Sequence, residues 1–208
     1  GVSFANTTDS TIKNVNASNN YVGISLSYSS GNTISSNTIT SNAWYGISLG
    51  YSNSNTISGN TVSENGLFPP TPPPFPTPPC GIAITGSNNT IYHNNIIDNA
   101  VQAKVTSGYV NTWDYGYLSG GNYWSDYTGV DADGDGIGDA PYVIDSNNKD
   151  NYPLMELWEP LAPSTRFPWS MFRHDLGHTG YTESPAPNTN QTLWNLSLIH
   201  ISEPTRPY

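Results

Sequence analysis

The apolar positions of the first half of the chain fall in short runs that alternate with polar positions. Gly-Ile-Ser-Leu at 23–26 returns at 46–49, and the variant Gly-Ile-Ala-Ile stands at 81–84. Each copy is followed about ten residues later by Asn-Thr-Ile, and another apolar residue comes five residues after that isoleucine. Alternation with a period of two is typical of β-strands, and no stretch spaces apolar residues by three and four as an amphipathic helix would. The pattern predicts short strands joined at Ser, Asn and Gly corners.

The spacing of the copies predicts a solenoid. The first two copies are 23 residues apart and the next two are 35 apart, the surplus of 12 being a proline-rich stretch. Self-similarity at such a period is the sequence signature of stacked repeats. Three short strands per unit describe one coil of an all-β parallel β-helix, whose coils stack about 4.8 Å apart. The expected columns of equivalent side chains are Ile24, Ile47 and Ile82; Ile34, Ile57 and Ile91; and an amide ladder of Asn37, Asn60 and Asn94.

Composition divides the chain into segments. We expect β-helix coils over residues 1–128, beginning with a looser coil, and an acidic cap over 129–159. Residues 66–80 should leave the coil as an inserted loop, because they contain eight prolines and proline cannot donate to a sheet ladder. That loop is either a spacer or a ligand for a proline-binding module. Residues 160–195 comprise a linker, with prolines at 160, 163 and 168, and the start of a different pattern; residues 196–208 form a tail. Both segments are predicted to be extended and poorly packed.

The negative charge is concentrated in one segment. The net charge of −10 argues against binding nucleic acid by phosphate neutralisation. Ten acidic residues and one basic residue lie between Asp114 and Glu159, so nearly the whole excess belongs to this segment. Such a concentration indicates cation binding rather than general solubility. The single cysteine, Cys80, gives no information about the redox compartment.

A cluster of aromatic residues follows the coil that closes at Asn99. The last coil of a solenoid exposes unpaired backbone and an apolar core, which must be covered. We interpret the cluster as that cap; the alternative is a sugar-stacking surface, because an indole or phenol face suits a pyranose ring. The cluster comprises Trp113, Tyr115, Tyr117, Tyr123, Trp124 and Tyr127. The candidates for ligand contact are Trp113, Tyr115, Tyr123 and Trp124.

Residues 131–139 have the spacing of a cation-binding loop. Carboxylates at relative positions 1, 3, 5 and 9, with glycine at position 6, can direct alternate oxygens at one hard cation. The predicted ligands are Asp131, Asp133, Asp135, the carbonyl of Ile137, and Asp139. Position 12 is Tyr142 rather than the bidentate Glu of an EF-hand, and the spacing is similar to the calcium loops of thrombospondin type 3 repeats. We therefore predict calcium as a structural cofactor; the alternative is a solvated acidic turn.

From Gly23 to Tyr152 the sequence resembles the NosD-like β-helix family, also described as carbohydrate-binding and sugar-hydrolase repeats. The Gly-Ile-Ser-Leu and Asn-Thr-Ile repeats carry part of the likeness. More specific is Gly-Asn-Tyr-Trp-Ser-Asp-Tyr at 121–127, followed by the aspartate loop and by Asp-Asn-Tyr-Pro-Leu at 150–154. That order is similar to the C-terminal ends of β-helices in archaeal surface proteins. The resemblance implies a right-handed parallel β-helix on an exported protein, and thus an extracellular or cell-surface location.

Two further likenesses concern the end of the chain. Residues 168–195 resemble the opening of a pyrroloquinoline-quinone-type β-propeller, from Trp169 through His178 to Trp194. Only the first strand region is present, so no quinone site is evident. From about Leu196 onward the sequence resembles a translated transposase-type sequencing-library adaptor, which implies that these residues are not natural protein. Because the chain also lacks an initiator Met and a signal peptide, we expect a fragment.

The coils show no recognisable catalytic set. Residues 1–99 contain three acids, Asp9, Glu64 and Asp98, and we expect them not to stack at equivalent repeat positions. Sugar-cleaving enzymes need two positioned carboxylates. We therefore assign no catalytic residue.

Copper processing, which the family name suggests, would require clusters of His, Met or Cys. The coils offer His93 and Cys80 outside any ligand spacing, and His174 and His178 lie in the propeller-like stretch. No copper site is predicted.

Three functional hypotheses follow. The first is a non-catalytic extracellular or cell-surface module for adhesion or glycan binding, with a surface glycan or protein as partner. The second is a carbohydrate-active hydrolase or lyase whose catalytic coils lie upstream of Gly1. The third, from the family name, is a NosD-like periplasmic copper-processing protein. No nucleic-acid partner is expected, and no apolar run approaches the roughly 20 residues of a membrane span.

Overall fold

Each strand of the coils pairs with the equivalent strand of the neighbouring coil. The computed structural model describes residues 1–68 and 78–160. In chain order the strands are β1 (Val2–Ala5), β2 (Thr11–Lys13), β3 (Val22–Ser27), β4 (Thr33–Ser35), β5 (Thr38–Thr40), β6 (Tyr45–Gly50), β7 (Thr56–Ser58), β8 (Thr61–Ser63), β9 (Cys80–Thr85), β10 (Thr90–Tyr92), β11 (Asn95–Ile97), β12 (Ala103–Val105), β13 (Tyr123–Trp124), β14 (Tyr142–Val143) and β15 (Lys149–Asp150).

Three parallel sheets run along the axis of the solenoid. The first sheet has five strands in the order β1-β3-β6-β9-β12, the second has the order β10-β7-β4-β2, and the third has the order β13-β11-β8-β5. Strands β14 and β15 form an antiparallel hairpin. Within the described ranges, no helix has the length and apolar character that crossing a bilayer requires. The predicted parallel β-helix is confirmed.

The predicted columns of identical side chains are also confirmed. Ile24 pairs with Ile47 and Ile47 with Ile82 in the first sheet, and the second isoleucine column follows the same rule. All six side chains are fully buried. The coil that precedes Gly23 joins the stack in register, since Val2 pairs with Ile24. The core is therefore a narrow aliphatic cylinder enclosed by the three sheets.

The predicted amide ladder exists and is longer than expected. The Nδ2 of Asn37 donates to Oδ1 of Asn60 at 2.9 Å, Asn60 donates to Asn94 at 2.8 Å, and Asn94 donates to Asn122 at 2.9 Å. Two further ladders that were not predicted run parallel to it at the other corners. Their members are Asn32, Asn55, Asn89 and Asn111 in one, and Asn42, Asn65 and Asn99 in the other.

A fifth coil lies beyond Asn99, inside the range 1–128 where coils were expected, and it contains the aromatic residues that we interpreted as the cap. Strand β12 pairs with β9, Thr112 bridges to Thr90, and β13 pairs with β11. The repeat is hard to recognise in this coil because Gln-Ala-Lys-Val at 102–105 replaces Gly-Ile-Ser-Leu and tryptophan replaces isoleucine at two core positions. The triplet Asn-Thr-Trp that starts at Asn111 preserved the Asn-Thr-Ile signal in altered form.

The fifth coil is closed by its own tryptophans and by the hairpin. Trp113 and Trp124 are buried with ring centroids 5.8 Å apart, and Tyr142 of the hairpin stacks on Trp124 at 4.0 Å. The hairpin also supplies Asn148 and Asp150, which accept the last hydrogen bonds of two ladders. These contacts make the aromatic residues and the hairpin the lid of the apolar core.

The Gly-Asn-Tyr-Trp motif at 121–124 gains a structural explanation from this lid. A Cβ at Gly121 would collide with the carboxyl group of Asp150. Asn122 extends the predicted ladder by accepting from Asn94, and the indole Nε1 of Trp124 donates to Asp150 at 2.9 Å. The motif therefore shapes one buried carboxylate site. The propeller-like stretch from 161 to 195, the tail 196–208 and the proline-rich residues 69–77 lie outside the described residues.

Candidate functional site

The acidic loop at residues 131–139 is anchored by the segment that follows the hairpin. The carbonyl of Gly136 accepts from Met155 N at 3.0 Å, and Gly138 N donates to Pro153 O at 2.8 Å. Gly134 and Gly136 have φ angles of +75° and +88°, a backbone region that side chains with a Cβ rarely adopt. The glycines therefore allow the chain to fold back on itself, as their spacing predicted.

Three of the predicted ligands come together in this loop. One carboxylate oxygen each from Asp131, Asp133 and Asp139 lies within 4.8 Å of the others. Calcium binds oxygens at 2.3–2.6 Å, so oxygens around one ion are at most about 5 Å apart. The donor set therefore fits a calcium ion, and the exposed Asp133 and Asp139 leave it open to solvent.

The fourth predicted carboxylate, Asp135, is not part of this group. Asp135 accepts hydrogen bonds from the hydroxyl of Tyr117 and from the backbone N–H of Ile137, and it is not one of the three that converge. Ile137 forms an antiparallel bridge with Leu154, and the hydrogen bonds of this bridge are made by the adjacent residues Gly136 and Gly138. The Ile137 carbonyl is therefore not used by the bridge and stays a predicted ligand.

The electrostatics of the loop separate the carboxylates. Hydrogen bonds from the N–H groups of Gly136, Gly134 and Asp135 lower the pKa of Asp131, that of Gly136 having the largest effect. The pKa of Asp133 is raised, first by loss of hydration and then by repulsion from Asp135. A cation among these groups would remove that repulsion. The loop therefore favours the ionised form of Asp131, whereas Asp133 has no nearby positive charge among the described residues to stabilise its ionised form.

The aromatic candidates for ligand contact divide into two kinds. Trp113 and Trp124 are buried in the core, 0% and 1% exposed, so the expectation that their faces could meet a sugar is wrong. Tyr115 is 63% exposed and stacks on Tyr92 with centroids 4.6 Å apart. Tyr123 is half-buried and lines an open cleft with residues from Met155 onward. Alternation along β13 put one ring inside and one outside.

A surface that the sequence pattern did not single out lies on the outer face of the five-stranded sheet. Two rows of residues, all of them small except Lys104, run across neighbouring coils in register. We call this surface the trough; its floor comprises Ser25, Ser48, Ala83, Lys104, Ser27, Gly50, Thr85 and Thr106. A pocket between β6 and β12 lies along it and is walled by Tyr45 and Pro78. With a coil spacing of about 4.8 Å, the sheet extends about 19 Å along the axis.

A pair of stacked tyrosines stands where two floor strands end. Tyr28 follows β3 and Tyr51 follows β6, with ring centroids 5.3 Å apart and planes 11° apart. Both side chains are well exposed, at 64% and 58%. Both residues have φ of +50°, which turns the chain sharply at the corner. The position that follows Tyr51 in register on the next coil is Gly86, which carries no side chain.

The expectation that no coil acids occupy equivalent positions is wrong for one pair. Ser63 pairs with Ile97, so Glu64 and Asp98 follow in the same register on adjacent coils. Ser41 Oγ donates to Glu64 at 3.1 Å, and Ser125 Oγ donates to Asp98 at 3.0 Å. This register could have been counted from the sequence, because Glu64 and Asp98 each lie two residues after the last apolar residue of their repeat, Val62 or Ile96.

The two coil residues considered for copper are used in packing. Cys80 is fully buried beside Tyr45, and burial raises the pKa of its thiol to about 12, which opposes thiolate formation. The ring of His93 stacks on Trp158 at 5.1 Å, and its Nε2 lies 2.6 Å from the carbonyl of Ser119. These contacts account for both residues without a metal.

Comparison with known proteins agrees with the observed architecture. The family model described as right handed beta helix region matches residues 1–118. No curated protein matches the chain, and no solved structure does either. The closer resemblance to NosD-like members stays a prediction. The matched span covers four complete coils and part of the fifth, more than half of the sequence, and the chain belongs to the right-handed parallel β-helix family.

Proposed function

We propose that this chain is a non-catalytic module of an exported protein that binds glycans along the trough. The observation that carries the proposal is the combination of a hydroxyl-bearing floor with the exposed Tyr28–Tyr51 pair beside it. Glycans combine hydroxyl groups with apolar ring faces, so serine and threonine hydroxyls can bond the former and tyrosine faces can pack on the latter. Surface adhesion would follow from glycan binding by an extracellular protein.

The rigidity of the floor supports this assignment. The residues of the floor are fixed by the backbone pairing of five strands, and Thr85 Oγ1 bonds Thr106 Oγ1 at 2.8 Å. A site held on strands loses little conformational entropy when a ligand binds. Exposed tyrosines add contact area with few rotatable bonds. The trough therefore has the composition of a preformed site for an extended polar chain.

The test is a glycan-array screen of the full chain, followed by affinity measurements on each hit. Tyr51→Ala should weaken binding about tenfold, because it removes one stacking face. The matched control is Tyr115→Ala, which removes an equally exposed tyrosine from the last coil. If Tyr115→Ala lowers the affinity and Tyr51→Ala does not, the ligand site is at the aromatic end and the trough assignment is wrong.

We also propose a structural calcium ion in the acidic loop, with Asp131, Asp133 and Asp139 as carboxylate ligands and Ile137 as a backbone ligand. The convergence of three carboxylates within 4.8 Å supports it. When bound, the ion would neutralise repulsion among them and tie the loop to the segment at 153–155. Its contribution would be stability, because the loop lies apart from the trough residues in the sequence and in its contacts.

Calcium at millimolar concentration should raise the melting temperature by about 5 °C, because an ion that binds only the folded state stabilises it by mass action. Asp131→Asn should remove that response, since the residue both ligates and organises the loop. Asp9→Asn, a substitution of an exposed aspartate in the first coil, should leave the response intact. Equal melting temperatures in calcium and in chelator would refute the site.

A carbohydrate-active enzyme is a second candidate because Glu64 and Asp98 occupy adjacent coils in register. Retaining glycosidases use two carboxylates about 5 Å apart, a separation close to the coil spacing. Any glycan bound in the screen should be incubated with the protein and with Glu64→Gln. Turnover by the protein that is lost in Glu64→Gln would establish hydrolysis, whereas binding without turnover supports the non-catalytic module.

A further inference from the structure

Lys104 gives the trough a charge that is opposite to the charge of the molecule. The chain carries a net charge of −10, and the described ranges contain three basic side chains, Lys13, Lys104 and Lys149. Lys104 is exposed on β12 and lies in the same row as Ser25, Ser48 and Ala83. Among the described residues that line the pocket between β6 and β12, Lys104 is the only charged one.

The surroundings of Lys104 leave its ammonium group available to a ligand. A second cleft continues from Lys104 and Thr106 towards Asp145 on the hairpin turn. The Asp145 carboxylate accepts hydrogen bonds from Asn147 N at 2.8 Å, Asn148 N at 2.9 Å and Asn148 Nδ2 at 3.0 Å. These donors commit Asp145 to the hairpin rather than to Lys104.

We infer that the trough recognises an anionic glycan, and that Lys104 binds a carboxylate or sulfate group on a sugar about two coils from Tyr51. The inference rests on the proposed glycan-binding function and adds the ligand class. The separation follows from the register, because Lys104 is aligned with Ser48 across two coil spacings, about 10 Å along the axis, and Tyr51 lies three residues, about 10 Å, further along the strand direction. The two positions are therefore about 14 Å apart. An ammonium group forms charge-assisted hydrogen bonds with such anions, which are about twice as strong as neutral ones. The serine and threonine hydroxyls between the two positions would bond the neutral part of the chain.

The test compares a uronic-acid oligosaccharide with its carboxyl-reduced, neutral counterpart, using calorimetry on the full chain. The acidic oligosaccharide should bind about tenfold more tightly, and added salt should reduce the difference. Lys104→Gln should abolish this preference, because the charge that distinguishes the two oligosaccharides is lost. Lys104→Arg should keep the preference, and the matched control Lys13→Gln on β2 should behave as the unmodified protein. A sulfated oligosaccharide with the same backbone identifies which anion is preferred.

The failures of the two proposals can be told apart. Equal binding of the acidic and neutral oligosaccharides, or a preference that survives Lys104→Gln, overturns the role of Lys104 and leaves the glycan-binding function standing. Loss of the preference in Lys13→Gln as well would show a general charge effect and would also overturn it. Absence of binding to every oligosaccharide and every array glycan would overturn the proposed function, and the inference with it.

Discussion

Asparagine stabilises the corners of this solenoid because its side-chain amide both donates and accepts hydrogen bonds. The Nδ2 of Asn60 donates to Asn94 Oδ1 at 2.8 Å and to the carbonyl of Ile34 at 2.9 Å. Its Oδ1 accepts from the backbone N–H of Asn37 at 3.0 Å and from the Nδ2 of Asn37 at 2.9 Å. Each ladder side chain thus satisfies backbone groups that the tight corner would leave unpaired, which is why buried asparagines are tolerated in the core.

Asn60→Ala should lower the free energy of unfolding by about 3 kcal/mol, because a buried backbone N–H and a buried carbonyl lose their partners. Urea unfolding followed by circular dichroism measures the change. Asn16→Ala, at an exposed asparagine in the first coil, should change the free energy by no more than about 0.5 kcal/mol. Similar losses in both variants would contradict the ladder's role.

Asp150 ends the Asn37–Asn60–Asn94–Asn122 ladder as an acceptor without donors. Its carboxylate accepts from Asn122 N at 2.7 Å, from the indole of Trp124 at 2.9 Å, and from Tyr152 N at 3.1 Å. An asparagine here would turn its NH₂ group towards one of these donors, so the ladder changes residue type at its last position. Burial nevertheless raises the pKa of Asp150 to about 6 from its ordinary 3.8, although the hydrogen bonds oppose the shift.

The raised pKa predicts that the fold becomes less stable as the pH rises. The folded state binds this proton more tightly than the unfolded chain, so the stabilisation is complete below about pH 4 and is lost as the pH rises through 6. The loss is on the order of 2–3 kcal/mol, for a shift of about two pKa units. Carbon-13 NMR titration should place the midpoint of the Asp150 carboxyl near 6. A midpoint near 4 would contradict the effect of burial.

At the scale of elements, the first residue of the Gly-Ile-Ser-Leu run is set by packing inside the coil. A Cβ at Gly46 would lie 2.7 Å from the carbonyl oxygen of Gly81, and 2.8 Å from both Asn65 Nδ2 and Val62 Cγ1. The other glycine of β6, Gly50, lies on the outer face, where a Cβ would meet nothing closer than 3.7 Å. The two positions in one strand therefore provide a matched pair.

Gly46→Ala should destabilise the protein by about 2 kcal/mol or more, because the neighbouring atoms include backbone that cannot move aside. Gly50→Ala should be neutral or slightly stabilising, since alanine restricts the unfolded chain without a clash. Thermal unfolding of both variants measures the difference. A larger loss in Gly50→Ala than in Gly46→Ala would mean that the register of β6 is wrong.

At the scale of the whole molecule, each coil is stabilised mainly by the coils on either side. Stability in such stacks depends on nearest-neighbour contacts, so the ends open more readily than the middle. The lid of tryptophans and hairpin protects the C-terminal end of the described coils. Strands β1 and β2 are edge strands of their sheets, and their outer side has no described neighbour.

Hydrogen exchange followed by mass spectrometry should therefore show the strongest protection in β6, β7 and β8. Peptides covering β1 and β2 should exchange at least about tenfold faster, because a coil with one neighbour opens at lower free energy. The double substitution of Asn148 and Asp150 to alanine should increase exchange in β12 and β13 more than in β6. Uniform protection along the axis would contradict this nearest-neighbour account.

The sequence by itself determined the repeating core. Isoleucine at fixed intervals and asparagine at the corners have one arrangement that buries the isoleucines and pairs the asparagines. The three strands per coil and the Asn37–Asn60–Asn94 ladder were therefore predictable. The glycine positions of the aspartate loop were equally local, because a backbone reversal at Gly136 depends on that residue's own φ angle.

Only the tertiary structure determined which residues outside the repeat are in contact. The hydroxyl of Tyr117 bonds the carboxylate of Asp135, which is not among the three carboxylates that converge. The trough exists because strands distant in the sequence bring Lys104 into line with small residues of earlier coils. Contacts of this kind depend on loop lengths and stacking, and no local pattern of residues encodes them.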